Sequence, residues 1–104
     1  MITKRTLTRR EIFALLQKNQ DILNKYKVKR IGLFGSYAAE KQRKSSDLDF
    51  IVEFEEPTFD NFMNLVDYLE KLFGKKVDVL TPEGIEGIRV REVAENIKKS
   101  VVYA

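Results

Sequence analysis

Residues 47–55 read DLDFIVEFE, and their alternation decides the architecture. Side chains on an extended strand point to opposite faces in turn. Leu48, Phe50, Val52 and Phe54 therefore share one face, and Asp47, Asp49, Ile51 and Glu53 share the other. The first set is wholly apolar and should pack on helices. The second opens with two carboxylates whose Cα atoms should lie about 6.5 Å apart. Carboxylates so placed can share one cation, or bridge two cations about 3.5–4 Å apart.

Upstream, residues 28–34 (VKRIGLF) read as a strand that ends at the turn Gly35-Ser36. Residues from Tyr37 to about Glu40 suit a short helical turn, and EKQRKSS after it is a polar, basic loop. Before the strand, a helix is expected from Thr8 to about Tyr26. Thr8 and Glu11 form a capping box, with Leu7 and Ile12 placed as a hydrophobic staple. Ile12, Leu15, Leu16 and Leu23 recur at helical spacing.

Downstream, Pro57-Thr58 opens a second helix, about 58–73. Phe59, Phe62, Met63, Val66, Leu69, Leu72 and Phe73 are its expected buried face, and Gly74 is placed to end it. Residues 76–80 (KVDVL) form a third short strand. Thr81-Pro82-Glu83 looks like a helix start, and Gly84 and Gly87 keep that helix short. A last helix is expected from about Ile88 to Lys99, with VVYA extended after it. The order is α–β–turn–β–α–β–α. It predicts a single α/β (α+β) domain over residues 1–104, with a small mixed three-stranded sheet. Helices should cover one face, leaving the carboxylates of the second strand on an open one.

Composition limits the chemistry. The 104 residues contain no cysteine and no histidine. That excludes disulfide frameworks, the usual zinc sites, thiol nucleophiles and histidine acid–base catalysis. A metal would need oxygen ligands, which points to Mg²⁺, Mn²⁺ or Ca²⁺. A general base would be Asp, Glu, Lys or Tyr. The net charge of +3 hides an asymmetry. Residues 1–44 carry twelve Lys and Arg against three Asp and Glu, and residues 45–104 carry seven against thirteen. A basic half can attract phosphates or nucleic acid, although no nucleic-acid recognition motif accompanies it. No apolar run approaches the roughly 18 residues of a membrane span. MITKRTLTRREIF lacks the apolar core of a signal peptide, so a cytoplasmic location is expected.

Two further features carry chemistry. Asp78 sits within the apolar run VDVL. A buried carboxylate there is costly without a partner, and it can join Asp47 and Asp49 if the third strand lies beside the second. Three clustered carboxylates repel one another, and a divalent cation relieves that repulsion. At the end of the first strand, Gly35 lets the backbone approach a phosphate closely, and the Ser36 hydroxyl can donate to it. The pattern is neither the three-glycine dinucleotide fingerprint nor a Walker A loop.

Taken together, GSYAAEKQRKSSDLD (residues 35–49) and the later aspartate resemble the polymerase-beta-like nucleotidyltransferase superfamily. The pattern is most similar to the minimal nucleotidyltransferases of prokaryotes that pair with HEPN-domain toxins. Gly35, Ser36, Ala38, Ser46, Asp47, Leu48 and Asp49 match the family pattern. The resemblance implies that fold and the Mg²⁺-dependent transfer of a nucleoside monophosphate, AMP from ATP. Asp47, Asp49 and Asp78 would be the catalytic and metal-binding residues for two Mg²⁺ ions, with Asp78 as general base. Gly35, Ser36, Ser46 and Lys44 would bind the nucleotide.

The resemblance also implies a partner. A chain this short leaves little room for an acceptor pocket, so the acceptor hydroxyl, such as a tyrosine, would belong to a HEPN-domain toxin. This chain would then be the antitoxin. The oligomeric state is open. One departure stands out: Ala39-Glu40 replaces a frequent Arg-Gly, which adds negative charge near the phosphates. Lys41, Arg43 and Lys44 are placed to compensate. The rival reading is a binding module that neutralises its partner by contact.

Overall fold

The structure, a computed structural model, describes residues 7–43, 46–86, 95, 97 and 99–104. Thr8 caps helix α1 (Arg9–Lys18): its hydroxyl accepts from the Glu11 N–H at 3.2 Å, and Glu11 Oε1 accepts from the Thr8 N–H at 3.1 Å. The single helix expected over 8–26 is two helices. The Asn19 side chain donates to the Leu15 carbonyl at 2.8 Å, and its backbone leaves the helical region. Asparagine competes in this way with backbone bonding, and α2 (Gln20–Lys25) restarts beyond it.

Strands β1 (Val28–Phe34) and β2 (Leu48–Phe54) pair antiparallel, with Phe34 opposite Asp49 and Val28 opposite Phe54. Between them lies the four-residue helix α3 (Gly35–Ala38). Helix α4 (Phe59–Phe73) starts on the Thr58 hydroxyl, which accepts from the Asn61 N–H at 3.1 Å, and ends at Gly74 in the left-handed conformation. Strand β3 (Val77–Leu80) then runs parallel to β2, which sets Asp78 opposite Asp49. After the short helix α5 (Pro82–Glu86), β4 (Val102–Tyr103) pairs antiparallel with β1.

The sheet is mixed, as expected, but has four strands in the order β3-β2-β1-β4 rather than three. The extended terminus became a strand because Gly32 leaves room for it. A Cβ at Gly32 would meet the Tyr103 ring at 2.9 Å and the Val102 carbonyl at 3.0 Å. The helix expected over about 88–99 falls mostly outside the described residues.

Leu48, Phe50, Val52 and Phe54 are buried, as their alternation requires, against Ile12, Leu16 and Leu23 on one side and Leu65, Leu69 and Phe73 on the other. The expected face of α4 needs correction. Leu65 is fully buried, whereas Phe59 is 77% and Met63 45% exposed. The core takes the stripe through positions 62, 65, 69 and 73, and positions 59 and 63 lie on a neighbouring stripe. The other sheet face is not wholly open either. Ile51 is buried beneath Phe34, Leu80, Ile97 and Val101. At the end that carries them, Asp47 and Asp78 are exposed. No helix among the described residues is long and apolar enough to cross a membrane.

Candidate active site

The site forms where β1 turns into α3 beside the starts of β2 and β3. The chain reverses at Gly35, whose φ of +74° is a left-handed value that suits glycine. A side chain there would also overlap the Asp49 carboxylate, so Asp49 lies directly against the turn. The helical turn begins at Gly35 itself, two residues earlier than expected. The first N–H groups of such a turn have no carbonyl within it to bond. Burial of Tyr37 and Ala38 pins the turn to the core, and the Lys41 N–H donates to the Ser36 carbonyl at 2.9 Å.

Strand register brings Asp78 across from Asp49. The Asp49 carboxyl is pushed up from its usual range to about 6. Burial is the main cause, followed by the charges of Asp78 and Asp47 and a hydrogen bond shared with Asp78. Asp47 and Asp78 are exposed and Asp49 is half-buried. Asp78 is therefore not the buried carboxylate its neighbours implied: β3 is the edge strand of the sheet among the described residues, and Asp78 is exposed on it.

The three aspartates of the sequence pattern share one corner, yet no three acidic side chains among the described residues stand close enough together to enclose an ion as they are. The donor chemistry nevertheless fits a hard divalent cation. All the donors are carboxylate oxygens, and like-charge repulsion already destabilises the ionised form of the central one.

Ser46 has a local task, since its hydroxyl accepts from the Arg43 N–H at 2.9 Å and closes the loop that leads into Asp47. Lys44 lies outside the described residues. Lys41 and Arg43 are exposed.

Sequence reasoning missed Arg9. Its guanidinium donates to the Ala38 carbonyl at 2.7 Å and stands 3.6 Å from the Glu40 carboxylate. Glu40 holds a positive φ of 58°, a backbone conformation that glycine adopts more easily. Its charge, expected to burden the phosphate site, is offset by Arg9. The glycine of the family pattern marks this left-handed position, but nothing in the sequence ties it to an arginine 31 positions earlier.

Comparison with known proteins gives the family. Residues 15–103 match the model of the nucleotidyltransferase domain. The chain belongs to that family and is a nucleotidyltransferase. It is 43% identical over 97 residues to a Methanocaldococcus jannaschii protein named, provisionally, a protein adenylyltransferase, with 89% of this chain and 94% of that one covered. It is 33% identical over 99 residues to protein adenylyltransferase MntA of Thermococcus cleftensis, covering 93% and 96%. Among solved structures, one described as a minimal nucleotidyltransferase superposes with a TM-score of 0.71 at 26% identity, covering 92% of this chain and 95% of that one. A chain from a toxin–antitoxin assembly with AMP-PNP superposes at 0.60 and 21% identity, covering 93% and 72%, and shares the fold.

Proposed function

We propose that this chain transfers AMP from ATP to a hydroxyl of a partner protein, a HEPN-domain toxin, and so acts as its antitoxin. The observation that carries the reading is the packing of Asp49 against the Gly35 turn, with Asp78 facing it across the sheet. A turn that admits phosphate oxygens thus adjoins carboxylates that suit a divalent cation. The names of the relatives at 33–43% identity favour adenylyl transfer to protein. The resemblance in residues 35–49 favours the HEPN-domain partner, and the toxin–antitoxin assembly among the fold neighbours is consistent with it.

Gly35 and Ser36 hold the β- and γ-phosphates, and Ser46 and Lys44 are the further residues proposed to bind the nucleotide. Asp47 and Asp49 would hold Mg²⁺ beside the triphosphate. Asp78, exposed at the rim, faces the acceptor and takes the proton of its hydroxyl. Two Mg²⁺ ions, when bound by the three aspartates, neutralise the triphosphate and lower the pKa of the attacking hydroxyl. The acceptor oxygen bonds to the α-phosphorus, the bond to the bridging β-oxygen breaks, and pyrophosphate leaves. The protein contributes position and charge rather than a covalent intermediate.

The contact-only reading loses support, because Arg9 offsets the charge of Glu40 that favoured it. Incubation of the chain with ATP, Mg²⁺ and the product of the neighbouring gene tests the proposal. AMP increments on that protein are expected by mass spectrometry. Neutralisation of the toxin that survives unchanged in the Asp47→Asn/Asp49→Asn variant refutes enzymatic action in this role.

A further inference from the structure

The stripe of α4 that the core leaves unused borders a second surface. Phe59 and Met63 stand one helical turn apart, on the same side of the helix, and are 77% and 45% exposed. Beside them, a groove of about 460 Å³ is lined by Phe54, Pro57, Phe59, Phe62, Thr81 and Glu83. Its floor is firm, with the Phe54 and Phe62 rings 6.2 Å apart. Glu83 lines it, and Glu56 and Asp60, next in the chain to the lining residues Pro57 and Phe59, are exposed. Folding gives no reason to leave a phenyl ring in water at the first position of a helix whose cap is already made by Thr58.

We propose that this groove docks a helix of the acceptor protein, one with an apolar stripe flanked by lysine or arginine. The inference rests on the reading that the acceptor is a protein. The acidic rim selects a cationic partner, and it disfavours a symmetric second copy, whose rim would face its own. Distance agrees with a macromolecular acceptor. Phe54 lies five residues along β2 from Asp49, roughly 17 Å at about 3.3 Å per residue. Phe54 and Asp49 also point to opposite faces of the strand, so one partner that meets both must reach around the sheet, which a small molecule cannot do.

The probe is a fluorescein-labelled amphipathic helical peptide of leucine and lysine, with a leucine–glutamate peptide as control, read by anisotropy. The basic peptide is expected to bind and the acidic one not. Phe59→Ser/Met63→Ser, which keeps the charged rim, should weaken binding at least tenfold without moving the melting temperature or the affinity for ATP. Equal binding by that variant overturns the proposal. So does wild-type self-association that the variant abolishes, which would make a second copy the occupant. So does slow peroxide oxidation of Met63 in the isolated chain, which would mean that its own residues cover the patch.

With the protein acceptor, the variant should raise KM for the acceptor at least tenfold and leave KM for ATP unchanged. Absence of transfer by wild type, with peptide binding intact, counts against the proposed reaction and not against the surface.

Discussion

At the start of β2, Asp49 is half-buried, packed against Gly35 and opposite Asp78. At its end, Phe54 runs into a groove where Phe59 stands in water. Between these ends, Phe50 and Val52 are fully buried among apolar neighbours, as folding alone would have them. The two ends depart from that rule in opposite senses. One desolvates charge beside like charge, and the other solvates an aromatic ring. Each arrangement costs stability, and under the proposed function and docking surface each would be relieved by something bound: a cation with its triphosphate at one end, an apolar helix at the other.

The largest effect is expected at the turn. Gly35→Ala must adopt a left-handed backbone and also displace the Asp49 carboxylate. It should cost about 2–3 kcal/mol in denaturant melts and weaken ATP binding by about two orders of magnitude. Wild-type affinity in that variant would break the link between turn and site.

Asp49→Asn should abolish transfer yet stabilise the fold, with a definite dependence on pH. The folded-state carboxyl sits at about 6, above its ordinary 3.8, so the native state holds the proton more tightly than the unfolded chain. Its contribution to stability is fully present below about pH 4 and is lost as pH rises through 6. The variant should therefore gain on wild type across that window and hold the gain above it. Full linkage for about two units would be about 3 kcal/mol at about 1.4 kcal/mol per unit. Screening of this partly solvated group reduces that to about 1 kcal/mol. Melts from pH 3.5 to 8 check it, and a difference that is constant with pH contradicts it. Added Mg²⁺ should narrow the gap by stabilising wild type.

Arg9→Ala removes the bond to Ala38 and the partner of Glu40. A loss of about 1–2 kcal/mol is expected, with ATP binding weaker by about fivefold. Glu40→Gly should add up to about 1 kcal/mol by relieving the positive φ, and should restore part of the Arg9→Ala loss. Melts and ATP titrations of the two single variants and the double variant decide this. Smallest of all, Phe59→Ser should change stability by less than about 0.5 kcal/mol, which separates the docking end from the catalytic one.

Much of this architecture is legible in residues 28–80. The alternation of DLDFIVEFE places both faces of β2, and the Thr8–Glu11 box starts α1 where expected. Features that depend on neighbours in space are less legible. Gly32 acquires meaning only once β4 lies across it. The exposure of Asp78 follows from β3 being the edge strand, whereas its flanking valines and leucine suggest burial. Helical periodicity marks apolar positions on α4 without saying how wide a stripe the sheet can cover, so it does not separate Phe59 and Met63 from the core. The Arg9–Ala38 bond joins residues 29 apart and leaves no local pattern.

The central claim is that these carboxylates drive transfer of AMP to a partner protein. The most direct measurement is the intact mass of that partner after incubation with ATP, Mg²⁺ and either wild type or the Asp47→Asn/Asp49→Asn variant. The account requires AMP increments with wild type and none with the variant. Equal increments with both, or none with wild type while the two proteins form a stable complex, would contradict it.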